Sequence, residues 1–219
     1  MIGLIRVLTV DNDAALNCHG DLIEKKFGLP IISKCIADQK KGIHDEESEE
    51  IAIPKIINLA EELVEKGCKL IIISCAADPA VEKLRTIISV PVIGAGSSAA
   101  LVANATGKKT GVIGITEKVP DIIKKTLGNN FLGYSKPANI NNTNDLLKKE
   151  GQESCIFSVK KLIKQGAEQI QFACTGMSTI NLKKILTSNG ITVPLIDAVE
   201  SEGLFSRIYY YEDSAFISK

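Results

Sequence analysis

Apolar residues gather in short, nearly continuous runs, separated by longer stretches in which they recur every three or four positions. The clearest runs are Leu4 to Val10, Lys69 to Ser74, Pro91 to Ile93, Thr110 to Ile115, Gln169 to Ala173 and Val193 to Ile196, each followed by small or polar residues. Continuous apolar character suits parallel strands covered on both faces, and its alternation with helical spacing predicts an α/β fold. Between Ile51 and Gly67, the residues Ile53, Ile56, Ile57, Ala60, Leu63 and Val64 fall on one helical stripe; Gly67 is the stop and Pro54 is expected in the first turn. A second helix is predicted with Asp78 as N-cap and Pro79 behind it, and a third from Ser97 to Gly107. Later helices fit Val119 to Leu127, Asn144 to Gln165 with a weak point at Gly151, and Ser178 to Ser188. The stretch Gly128 to Asn142, rich in Asn, Gly and Pro, reads as a loop or irregular crossing.

The pattern also repeats. Gly67, Lys69 to Ser74, Cys75 and Pro91 can be laid over Gly166, Glu168 to Ala173, Cys174 and Pro194, with the Gly to Cys interval of eight residues in both copies. Ile5 to Asp11 can likewise be laid over Thr110 to Thr116. Duplication of one α/β unit predicts two similar Rossmann-like parallel-sheet domains related by a pseudo-two-fold axis, spanning 1–96 and 97–200. The tail, 201–219, is expected to return to the first of them.

Composition narrows the partners. Lys+Arg 26 against Asp+Glu 26 gives no net charge, so no basic field exists for a phosphate backbone and nucleic acid is not an expected partner. No apolar run approaches the roughly 18 residues of a spanning helix, so no membrane partner is expected. Met1 to Val10 contains Arg6 and runs into Asp11, Asn12 and Asp13 without a small-residue cleavage site, which reads as the first strand of a cytoplasmic protein. Six scattered cysteines then read as reduced thiols. Cys18, Cys35, Cys68 and Cys155 have no repeat counterpart and read as structural. With His19 and His44 they form no zinc-ligand spacing, so no metal is expected.

Cys75 and Cys174 are different, because each follows a strand at the edge where open α/β sheets bind ligands. A thiol at a helix N-terminus meets free backbone N–H groups, and its pKa is expected to fall from about 8.5 toward neutrality. Two such thiols facing across a cleft between the halves can remove a proton from one face of a carbon and return one to the other. That is inversion without a cofactor. Buried cysteines acting as small hydrophobes are the structural alternative.

The segments Ser-Cys-Ala-Ala-Asp-Pro-Ala (74–80), Val-Pro-Val-Ile-Gly-Ala-Gly-Ser-Ser (90–98), Gly-Val-Ile-Gly-Ile-Thr (111–116), Ala-Cys-Thr-Gly-Met (173–177) and Val-Pro-Leu-Ile-Asp (193–197) resemble the Asp/Glu/hydantoin racemase superfamily. The resemblance implies two similar α/β domains with the active site between them, Cys75 and Cys174 as paired acid and base, and no pyridoxal phosphate or metal. Amino acid racemases of the superfamily usually place Asn-Thr after the first cysteine and often Thr-Glu after the second; here Ala76-Ala77 and Thr175-Gly176 stand there. The pattern is similar to the hydantoin racemase branch, which implies a 5-substituted hydantoin or similar cyclic ureide, with an aspartate- or glutamate-type amino acid as the alternative. By the same analogy Asp11, Asn12, Ser97, Ser98, Thr116 and Thr175 are candidate substrate-binding residues, although Asp11 to Asp13, Ser97 and Thr116 also suit helix caps. Homo-oligomers are common in the superfamily, so the resemblance implies a small-molecule substrate and admits assembly as a homo-oligomer.

Asp78 reads as a cap, Asp197 is undecided, Asp45 to Glu50 reads as a solvated helix entry, and Tyr209 to Tyr211 as an edge, domain contact or oligomer surface. Gly94-Ala95-Gly96-Ser97-Ser98-Ala99 fits the G-x-G-x-x-A dinucleotide pattern, but it lies mid-chain after a very short strand containing Pro91. A two-domain small-ligand binding protein is the non-enzymatic alternative. A decarboxylase of the superfamily needs only one protonating cysteine, so retention of both favours racemisation or isomerisation.

Overall fold

The computed structural model describes residues 1–216, with side chains through Tyr210; the side chain of Tyr211 and residues 217–219 of the tail lie outside the described residues. Two four-stranded parallel sheets form the framework. The first has the order β2-β1-β3-β4, from β1 (Ile2–Arg6), β2 (Ile31–Cys35), β3 (Leu70–Ser74) and β4 (Val92–Gly94). The second repeats it as β6-β5-β7-β8, from β5 (Thr110–Ile113), β6 (Phe131–Ser135), β7 (Gln169–Phe172) and β8 (Leu195–Ile196). The same topology occurring twice is the α/β duplication expected from the apolar runs.

Register refines the overlay of the halves. Ile2 lies opposite Leu70, and Thr110 lies opposite Gln169, so Ile2 rather than Ile5 is the counterpart of Thr110. Arg6, opposite Ser74, therefore corresponds to Gly114, the residue after Ile113. The overlay of Ile5 on Thr110 is three positions out of register, because both segments are largely apolar runs and apolar character alone does not pin the pairing.

Helices cover every sheet face. On the first sheet, α2 (Glu46–Glu65) and α3 (Val81–Ile87) bury Ala52, Ile56, Ala60, Leu63, Val81 and Leu84 against Ile5, Ile71 and Ile73. The opposite face, Ile2, Leu4, Leu70, Ile72 and Ile93, packs on Ile23 of α1 (Asp13–Phe27) and on Val199 and Phe205 of α9 (Ala198–Phe216). On the second sheet, α6 (Lys149–Lys164) and α8 (Leu182–Ser188) cover one face. The other is covered by α4 (Ala95–Asn104), which presents Ala95, Ala99, Ala100 and Ala103, and by α5 (Asp121–Leu127). The helix after β4 thus crosses to the second sheet and the helix after β8 crosses back to the first. Among the described residues no helix is long and apolar enough to cross a membrane.

Several expectations need correction. The edge strand β6 lies inside the predicted loop, and β2 carried no strand signal; both are only partly buried, so neither shows a continuous apolar run. Helix α2 begins at Glu46 instead of near Ile51, because Asp45 and Ser48 form a reciprocal capping box. Pro54 therefore lies in the helix interior, and the carbonyl it leaves without an N–H belongs to exposed Glu50, where water can take it. The acidic run Asp45 to Glu50 is this cap and first turn. The long predicted helix from Asn144 is a 3-10 turn (Thr143–Leu147) and α6, separated by extended Lys148. The helix predicted from Ser178 is interrupted at Asn181, whose φ of 51° breaks it and whose side chain caps α8.

Candidate active site

Strand ends place the two cysteines. Cys75 follows β3 and Cys174 follows β7, equivalent central strands of the two sheets, and both line one cleft between the halves. Arg6, Ser74, Ala76, Ala77, Thr116, Thr143, Ala173 and Thr175 line it with them. A wider groove shares Ile43, Ala77, Thr116 and Pro120 with this cleft and runs out past Glu46, Glu47 and Glu49 of α2.

The thiols are not lowered toward neutrality. Burial pushes Cys75 far above the ordinary thiol range, with only the Ala77 N–H favouring its thiolate, because α3 does not begin until Val81. Burial also raises Cys174, but only to about 11: the N–H groups of Gly176 and Met177, the Arg6 charge and the Thr143 hydroxyl all favour its thiolate. Desolvation outweighs the nearby backbone N–H groups in both cases. The pair is therefore unequal, with Cys174 the more easily ionised.

Asp78 does not cap the helix that follows it. Its φ is 54°, and its carboxylate accepts the N–H groups of Gly96 (2.6 Å) and Ser97 (2.9 Å) at the start of α4. This explains the glycines. A Cβ at Gly94 would lie 2.4 Å from the Asp78 carboxyl, and one at Gly96 would lie 2.1 Å from the Ala76 carbonyl oxygen. Gly94-Ala95-Gly96 admits the Cys75 loop, and Asp78 fills the place a dinucleotide's phosphates would take, so the dinucleotide pattern fails here. In the second half, Asp197 caps α9 itself, accepting from Val199 and Glu200 N–H groups and from the Ser178 hydroxyl (2.7 Å).

Behind the cysteines runs a buried polar chain joining both halves. Ser74 Oγ donates to Glu202 Oε1 (2.7 Å), and the two ring nitrogens of His19 pair with Ser74 Oγ and Thr179 Oγ1, each at 2.9 Å. Thr175 Oγ1 donates to the Ser74 carbonyl (3.1 Å). Burial raises Glu202 well above the ordinary carboxylate value, and burial with the Arg6 charge holds His19 well below its ordinary value, so His19 is neutral at pH 7.

Of the sequence candidates, the structure brings Cys75, Cys174, Thr116 and Thr175 to the cleft. It does not bring Asp11, Asn12, Ser97 or Ser98. Asn12 caps α1 by accepting the Ala15 N–H (2.8 Å), Asp11 is exposed, Ser97 bonds the Gly94 carbonyl, and Ser98 is buried in α4. Thr116 donates to the Lys118 carbonyl (2.7 Å). Sequence reasoning missed Arg6 and the Ser74, His19 and Glu202 chain. A cation inside an apolar strand was the available signal for Arg6; Thr143, from a 3-10 turn, offered none. Among the described residues no cluster of three or more His, Cys, Asp or Glu side chains forms a metal site.

Two parallel-sheet halves of the same topology, with a cysteine from each at their junction, define a class of two-domain α/β protein with its candidate site between the halves. The chain belongs to the Asp/Glu/hydantoin racemase family, whose model matches residues 26–201. Among solved structures it is similar to the allantoin racemase of Klebsiella pneumoniae, with 20% identity, TM-score 0.75, and 97% of this chain and 88% of that chain covered. It is also similar to the allantoin racemase of Pseudomonas fluorescens (15% identity, TM-score 0.76, 97% and 91% covered) and to a glutamate racemase of Bacillus anthracis (18%, TM-score 0.72, 96% and 82%). At these identities the likeness is one of fold. No curated protein sequence matches the chain.

Proposed function

We propose that this protein inverts a carbon-bound stereocentre by a two-cysteine acid/base reaction, without a cofactor, on a 5-substituted hydantoin or similar cyclic ureide. One observation carries the reading: Cys75 and Cys174, from equivalent strand ends of the two halves, line the same cleft. Cys174, the more acidic thiol, starts as the base and takes the ring-carbon proton onto its sulfur. Cys75 Sγ–H delivers its own proton to the opposite face, and the enzyme leaves this turnover with the two protonation states exchanged. The reverse direction serves the other enantiomer. Ala76 and Ala77 replace the amide and hydroxyl groups that would hold a free amino acid. A hydantoin suits that loss, because its ring hydrogen is flanked by a carbonyl and an amide-type nitrogen and is easier to remove.

The test is proton NMR in deuterium oxide, with single enantiomers of 5-substituted hydantoins, allantoin, aspartate and glutamate. Wild type should exchange the chiral hydrogen of hydantoins with inversion. Cys75→Ser and Cys174→Ser should each lose inversion by about 1,000-fold or more, since a serine hydroxyl is a far weaker acid and base. Cys75→Ser should keep exchange without inversion for one enantiomer only. Inversion surviving both substitutions would overturn the mechanism.

A further inference from the structure

Arg6 ends β1 and is 4% exposed, yet it lines the cleft between the cysteines. It is the only charged side chain lining that cleft among the described residues. Its described hydrogen bonds all leave from Nη1, to the carbonyls of Ala15 (2.5 Å) and Leu16 (3.4 Å) and to Cys18 Sγ (3.3 Å). Among the described residues no hydrogen bond leaves Nε or Nη2 and no carboxylate forms an ion pair with Arg6. The nearby buried acid, Glu202, makes no ion pair with Arg6: its Oε1 accepts from Ser74, and burial raises its pKa well above the ordinary carboxylate value. Burying a cation without a counter-charge is costly and calls for an anion. The fold repeat does not require it, because the equivalent position is Gly114, packed under the Tyr134 ring.

We propose that Arg6 binds the substrate oxygen next to the reacting carbon, which is negative either permanently, as a carboxylate, or when the carbon loses its proton, as an enolate. A guanidinium anchored through Nη1 keeps its other nitrogens for a planar anion and cannot lose its charge. As the carbon proton moves to Cys174 Sγ, the electron pair it leaves spreads onto that oxygen, and Arg6 stabilises it by hydrogen bonds without giving up a proton. The pair returns to carbon when Cys75 donates. The same charge favours the Cys174 thiolate that starts the cycle. Which oxygen is bound rests on the racemase reading; anion binding as such does not.

The test uses full-length wild type, Arg6→Gln and Arg6→Lys, with calorimetric binding of pyrrole-2-carboxylate and racemisation of 5-methylhydantoin. If the anion is a permanent carboxylate, wild type binds pyrrole-2-carboxylate and Arg6→Gln weakens it about 30-fold, the value of one or two charge-assisted hydrogen bonds. If it is an enolate, Arg6→Gln lowers kcat on 5-methylhydantoin about 100-fold with KM within threefold. Arg6→Lys, which keeps the charge but not the fork, should fall between and decides the matter if the glutamine variant does not fold. Carboxylate binding lost in Arg6→Gln, with no racemisation by wild type, would retain the anion site and discard the racemase reading. Variants within threefold of wild type on both measures, or a wild type that neither binds the carboxylate nor inverts the hydantoin, overturn the proposal.

Discussion

Cys75 and Cys174 hold corresponding places in the repeat but differ in what reaches their sulfurs, and that difference gives the reaction a pH signature. With burial raising Cys174 to about 11, its thiolate is about a thousandth of the population at pH 8. Because the thiolate is the form that removes the proton, kcat/KM should rise nearly tenfold per pH unit from pH 7 and level off only as Cys174 titrates. A pH–rate profile, with thiolate absorbance of Cys75→Ser followed over the same range, checks this. A plateau already present at neutral pH would contradict it. The identity of the two cysteines was legible because a Gly to Cys interval recurs; the direction of their titration was not, since burial is a property of the closed cleft. Arg6 showed in the sequence only as a charge out of place.

The N-termini of α4 and α9 pose the same problem and solve it differently. In α9 the cap residue Asp197 accepts the first N–H groups itself; in α4 the cap is Gly94, and Asp78 reaches in from the Cys75 loop. Replacing Asp78 by Ala strands two partly buried N–H groups and should cost about 2–4 kcal/mol in denaturant unfolding. It should also lower racemase activity, because the same contact fixes the loop that carries Cys75. Unchanged stability would show that water substitutes for the carboxylate. Elements buried on both sides, such as β3 with Leu70 to Ile73, were readable from apolar runs alone. Edge strands β2 and β6 were not, since Lys34 and the glycine and serine of Phe131–Ser135 dilute their pattern. The early start of α2 follows from a cap outside the apolar stripe.

Across the whole molecule, His19 from α1, Ser74 from β3, Glu202 from α9 and Thr179 from α7 (Gly176–Thr179) tie the halves through groups whose burial opposes charge. Glu202 holds its proton to higher pH in the fold than an unfolded glutamate, which loses it above about pH 4.3, so its contribution to stability declines as pH rises from there. His19 acts oppositely, and its contribution declines as pH falls below about 6.5. Glu202→Gln should therefore gain on wild type as pH increases, by up to about 1.4 kcal/mol per pH unit, in urea unfolding across pH 5 to 9. A difference independent of pH would mean that Glu202 ionises in the fold. The exchange of α4 and α9 between the sheets has a consequence during synthesis. Ile2, Leu4, Leu70, Ile72 and Ile93 are all made well before Val199 and Phe205, which cover them together with Ile23 of α1. That face of the first sheet therefore waits with only α1 over it until α9 is made, a half-open greasy surface for chaperones, whereas α4 precedes the second sheet that it covers.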